Sequence, residues 1–135
     1  MAADIRLINP ENLVRSPAYT QVVEVMAPGR TIYVSGQLGT TGHGKLVGRD
    51  FPAQAEQVFQ NLEAALAAAG AGFADVVKIV SYLKDIAHLP MLREVRARHL
   101  NPAALPASTT IGGIGFALEG ALLEVEVIAV LPTAR

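Results

Sequence analysis

An α+β domain of two layers, with a mixed sheet and both helices on one of its faces, is the expectation for this chain. It rests on a long amphipathic pattern over residues 52–69, on six β-rich runs that give the order βββαβαββ, and on a closing run of strictly alternating apolar residues. With 135 residues, 51% of them hydrophobic, there is material for one core and not two, so residues 1–135 read as one domain. Size scaling gives such a chain a folded surface of roughly 6,800 Å².

Three β-rich runs come first, over residues 5–8, 21–26 and 31–36. The long helix follows. Ala55, Val58, Leu62, Leu66 and Ala69 recur at threes and fours, Asp50 is placed to cap, Pro52 suits the first turn and Gly70 the stop. Gly70-Ala71-Gly72 then leads to a strand over 76–83, a βαβ crossover. A second helix over 89–100 puts Leu89, Leu92, Val95 and His99 on one face, with Arg93, Glu94, Arg96 and Arg98 marking the wetter side, and it ends before Pro102. Strands over 108–114 and 122–130 complete the chain.

The last strand carries the most chemistry. Its period of two sets Leu123, Val125, Val127 and Ala129 on one face and Glu124, Glu126, Ile128 and Val130 on the other, so two carboxylates share an apolar neighbourhood. On an open face they are ordinary solvated residues. Under a covering neighbour, desolvation and mutual repulsion would raise a glutamate pKa toward neutrality and make it a usable general acid or base. With no third helix, the cover at hand for that sheet face is another copy of the chain.

Composition removes several classes of function. No cysteine means no disulfide, thiol nucleophile or cysteine-held metal, which suits a reducing cytoplasm. Eleven basic residues against twelve acidic ones leave a net charge of −1, with no surplus of positive charge for nucleic acid. The apolar runs are too short for a membrane span, and the first residues lack the order of a signal peptide, so a cytoplasmic protein is expected. His43, His88 and His99 have no partner at ligand spacing, so no metal is expected. Ser35, Ser81 and Ser108 lie in strand patterns, not in a nucleophile elbow. Gly112-Gly113-Ile114-Gly115 precedes no helix and reads as a bulge or a close backbone contact.

Several segments together resemble the Rid family, the reactive intermediate deaminases also called the YjgF family. They are Ser16-Pro17-Ala18-Tyr19-Thr20-Gln21, Ile32-Tyr33-Val34-Ser35-Gly36-Gln37, the series Gln57, Asn61, Leu62, Ala69, Gly70, then Asp75-Val76-Val77-Lys78, Tyr82-Leu83-Lys84-Asp85 and the closing Leu123-Glu124-Val125-Glu126-Val127-Ile128-Ala129-Val130. The resemblance implies a chorismate-mutase-like fold, a homotrimer built around a central barrel, and small-molecule clefts between adjacent subunits. It also implies cofactor-free hydrolysis of reactive 2-imino acids or enamines to 2-oxo compounds and ammonia. By position in these motifs, the resemblance implies that Glu124 is the catalytic, water-positioning carboxylate and that Tyr19, Ser35 and Gly36 line the substrate cleft.

The family's carboxylate clamp does not carry over. Deaminase members read Pro-Ala-Arg-Ser or Pro-Ala-Arg-Thr, whereas this chain reads Pro106-Ala107-Ser108-Thr109, so Ser108 stands where the arginine belongs. A hydroxyl does not replace a bidentate guanidinium, whose charged hydrogen bonds are worth about 1.5–3 kcal/mol each. Alignment from Lys84-Asp85-Ile86 puts Arg93 where the family has a cleft asparagine, and we expect Arg93 to bind the anion beside Ser108 and Thr110. Two readings stay open at this point: an imine hydrolase of altered substrate range, and a non-catalytic binder or sensor of a small metabolite such as a 2-imino or 2-oxo acid. Ribonuclease activity or translation inhibition, a label sometimes attached to the family, has the charge balance against it.

Overall fold

The computed structural model describes residues 4–27 and 29–133. Strands β1 (Ile5–Ile8), β2 (Val22–Val25) and β3 (Gly29–Gln37) precede helix α1 (Phe51–Ala68), strand β4 (Val76–Leu83), helix α2 (Leu89–Ala97) and strands β5 (Ala107–Ile111) and β6 (Leu123–Pro132). This is the expected βββαβαββ order. β1 and β2 pair with each other as a separate antiparallel ribbon, and the other four strands form a mixed sheet in the order β3-β6-β4-β5.

β6 is antiparallel to both β3 and β4, so those two run parallel with β6 between them. The α1 crossover therefore spans a strand, whereas α2 joins the adjacent parallel pair β4 and β5. Both helices lie against one face of the sheet. Phe59, Leu62 and Leu66 of α1, with Leu92 and Val95 of α2, close over Ile79, Leu83, Leu123, Val125 and Val127. Full burial of each such side chain contributes roughly 1.5–3 kcal/mol.

The ends of α1 follow from its flanks. Asp50 accepts a hydrogen bond from the Ala53 amide at 2.8 Å, and Pro52 occupies the first turn, where its missing N–H costs nothing. At the other end Gly70 has φ +78°, the Gly70 amide donates to the Ala67 carbonyl, and the Ala71 amide donates to that of Leu66. That is a Schellman stop, and it needs the left-handed residue that glycine supplies.

Two boundaries fall three residues short of expectation, the others lying within two. α2 stops at Ala97, before Leu100, as the His99 and Leu100 amides both turn back to the Arg96 carbonyl. β5 stops at Ile111 instead of reaching residue 114, because Gly113 takes φ +75° and Gly112 packs onto Ile86. A Cβ at Gly112 would lie 2.7 Å from the Ile86 Cβ, so the glycine pair makes a close backbone contact. Among the described residues no helix is long and apolar enough to cross a membrane.

Candidate functional site

The expected alternation on β6 places its two glutamates. Leu123, Val125, Val127 and Ala129 are buried beneath the helices, while Glu124, Glu126 and Ile128 lie half-buried on the opposite, uncovered face. The two carboxylates are not equivalent. The Tyr82 hydroxyl donates to Glu126 Oε1 at 2.7 Å, and this hydrogen bond, with desolvation and the nearby negative charges of Glu126 and Glu124, pushes the tyrosine above its ordinary pKa. Glu124 receives no hydrogen bond and forms no ion pair among the described residues.

Glu124 is instead laid across Gly36. A Cβ at that glycine would stand 2.7 Å from Glu124 Cδ and 2.8 Å from Oε2, so the missing side chain is what gives the carboxylate its place. Gly36 lies where the β3–β6 register shifts, between Val34 and Gln37, and Ser35 and Gly36 are both exposed. The chain beyond is pinned to α1. Asn61 Nδ2 donates to the carbonyls of Leu38 and Thr40, Gln57 donates to Asn61, and buried Gln54 holds the carbonyls of Gly48 and Gly120. These amides fix the rim on which Ser35, Gly36 and Glu124 sit.

A second group forms on the other side of the sheet. Ser108 pairs with Ile79 and Thr110 with Ser81, residues that point into the helix layer, so both side chains face the helices. Glu124 pairs with Tyr82, which pairs in turn with Ile111, three residues past Ser108. Within one chain Ser108 and Glu124 are thus on opposite faces and two strands apart, roughly 10 Å in the sheet plane before the offset along the strands is added.

The arginine that contacts Ser108 is Arg96. Its Nη1 donates to Ser108 Oγ across a long 3.4 Å, and the residue is only 5% exposed. The expectation that Arg96 lies on the wetter side of α2 is corrected here. Arg96 follows buried Leu92 by four residues and precedes buried Leu100 by four, so helical spacing carries it to the covered stripe. Burial, then the neighbouring Arg93 charge, lowers its pKa from the ordinary guanidinium value. Arg93 is exposed and, with Arg96, Pro17 and Leu105, lines a cavity of about 320 Å³.

Tyr19 belongs to this side as well. Its segment is held across the start of β5 by Thr20, whose amide donates to the Pro106 carbonyl at 3.1 Å and whose hydroxyl donates to that of Leu105 at 2.6 Å. Tyr19 lines a recess of about 290 Å³ with Arg15 and Ser16, next to the arginine cavity, for both are walled by Pro17 and Leu105. The candidate residues therefore fall into two groups: Tyr19, Arg93, Arg96, Ser108 and Thr110 toward the helix side, and Ser35, Gly36 and Glu124 on the open side. His88 stacks on Phe51 and His99 on Phe59, which accounts for two of the histidines by packing.

A family model described as Endoribonuclease L-PSP matches residues 12–131. A rat protein named 2-iminobutanoate/2-iminopropanoate deaminase is 37% identical over 114 residues, 84% of this chain and 80% of the rat protein. Protein DfrA of Myxococcus xanthus is 35% identical over 113 residues, covering 83% of this chain and 84% of that protein. Among solved structures, YyfB of Yersinia pestis, described as a protein of unknown function of the conserved Rid family, superposes with a TM-score of 0.83 at 35% identity, over 94% of this chain and 98% of that one. Matching folds, matching lengths and motifs in one order make this chain a member of the Rid/YjgF family.

Proposed function

We propose that the protein hydrolyses small reactive 2-imino acids, or their enamine tautomers, to 2-oxo acids and ammonia, in a cleft made between copies of the chain. Glu124 carries the reading: a carboxylate that no protein donor occupies, seated over Gly36 on an uncovered sheet face. The deaminase names of relatives such as the rat protein support it. Glu124 takes a proton from water as the oxygen adds to the imine carbon and passes it to the nitrogen, which gives the carbinolamine. The carboxylate then takes the carbinolamine's hydroxyl proton and delivers it to the same nitrogen as the C–N bond breaks, so ammonia leaves and the carbonyl forms. The chain needs only to orient the substrate, hold the water and move that proton.

A single chain keeps Glu124 on the far side of the sheet from the arginines, so the reading requires two copies, one lending each group. The uncovered face is suited to contact with a copy, since Tyr33 is 76% and Ile111 40% exposed there. A trimer is the assembly we expect. The charge balance gives no footing for a ribonuclease, whose substrate needs a basic surface.

The test generates 2-imino acids in place with an amino-acid oxidase and follows their conversion. Wild-type protein should accelerate it, Glu124→Ala should not, and Ser108→Arg should alter the substrate range. No acceleration by wild type, with activity gained in Ser108→Arg, would overturn catalysis in favour of metabolite binding.

A further inference from the structure

We infer that Arg96, with Arg93 and Ser108, is the binding site for the carboxylate of a small organic acid, a guanidinium supplied by helix α2 and not by β5. The inference rests on the reading above for the identity of the acid, but its physical basis is separate.

A guanidinium has five donors and keeps its charge at any ordinary pH. Arg96 is 5% exposed, yet among the described residues its side chain makes one hydrogen bond, the 3.4 Å contact to a neutral hydroxyl, and no ion pair. Buried charges are normally paired, because an unpaired one loses its hydration with nothing in return. Here the charge that acts on it is Arg93, of the same sign. Structural arginines in this chain look different: Arg6 pairs with Glu24, and Arg98 with Glu56. Two guanidiniums bordering one cavity without a carboxylate are at their lowest energy with an anion between them.

The cavity specifies the rest. Pro17, Ala18, Leu100 and Leu105 share its wall with the arginines, so a ligand needs one anionic end and a short aliphatic end. About 320 Å³ is at the small end of ligand cavities and suits an acid of a few carbons. Ser108 is small enough to leave the guanidinium room and can donate its hydroxyl proton to the same carboxylate.

The probe is 2-oxobutanoate, with its ethyl ester as the uncharged control, titrated calorimetrically. Loss of one charged hydrogen-bonding group predicts a Kd at least about 10-fold higher for Arg96→Gln. Arg96→Lys should recover part of the affinity, since it keeps the charge but not the fork. The ester should bind weakly to wild type and no worse to the variants. Ser108→Asp places a carboxylate beside Arg96 from within the chain, so it should raise Tm and abolish 2-oxobutanoate binding, which keeps the test decisive if Arg96→Gln fails to fold. Unchanged Kd in folded Arg96→Gln and Arg96→Lys, or Ser108→Asp that lowers Tm and still binds, would overturn the inference. Arg96-dependent binding without imine turnover would overturn only the proposed reaction. Turnover with KM unmoved by Arg96→Gln would overturn only the assignment of Arg96.

Discussion

Gly36 is the residue on which the open-side group turns. Its backbone needs no left-handed angle, so its use is space: Glu124 Cδ, Oε2 and Cγ all lie within 3 Å of where a Cβ would stand. Those atoms are the far end of a flexible side chain, which can swing away at little cost. Gly36→Ala should therefore leave stability within about 0.5 kcal/mol of wild type, as read by denaturant titration. Imine turnover should fall about 10- to 100-fold, because a small displacement of the proton-handling group costs that much. Unfolding in parallel with the loss of turnover would make Gly36 a structural residue only.

At the scale of elements, β4 and β6 are joined on the open face by the Tyr82 to Glu126 hydrogen bond, and it has a pH signature. The bond holds the tyrosine neutral and raises its pKa in the fold above the value of about 10 that it has unfolded. Stability from this pair is therefore fully present below about pH 10 and is lost as pH rises through the higher folded value. The stability difference between wild type and Tyr82→Phe should be constant from neutrality to about pH 10 and then shrink. A difference that stays flat above about pH 10 as well would mean the bond is absent in solution. The same elements show what sequence can express. α1 was legible to both ends, since spacing, cap and stop are local signals, and so was the alternation that exposes Glu124. Arg96 was not, because its polarity pointed outward while its spacing from Leu92 pointed inward, and the packed helix followed the spacing. Nor was the separation of Ser108 from Glu124. It depends on the registers of β5 with β4 and of β4 with β6, pairings between distant segments that no local pattern encodes.

At the scale of the molecule, the isolated chain exposes 7563 Å², more than the roughly 6,800 Å² that its size calls for. Part of the excess lies on the sheet face that carries Tyr33, Ile111 and Ile128 around the two glutamates. Association through that face would remove apolar surface from water and shield Glu124 in the same step. Wild-type protein should sediment at three times the chain mass, and Tyr33→Asp should shift it toward the monomer with loss of turnover. A sharper consequence follows from the two-sided distribution of the groups. If each cleft takes Arg96 from one copy and Glu124 from the next, then Arg96→Gln chains, slow at substrate concentrations below their raised KM, and Glu124→Gln chains, inactive alone, should complement at such concentrations when refolded together. In an equal mixture, about one cleft in four inherits both intact groups, so about a quarter of wild-type turnover should return. Co-sedimentation of the two variants with no turnover regained would mean that the groups do not meet across the interface.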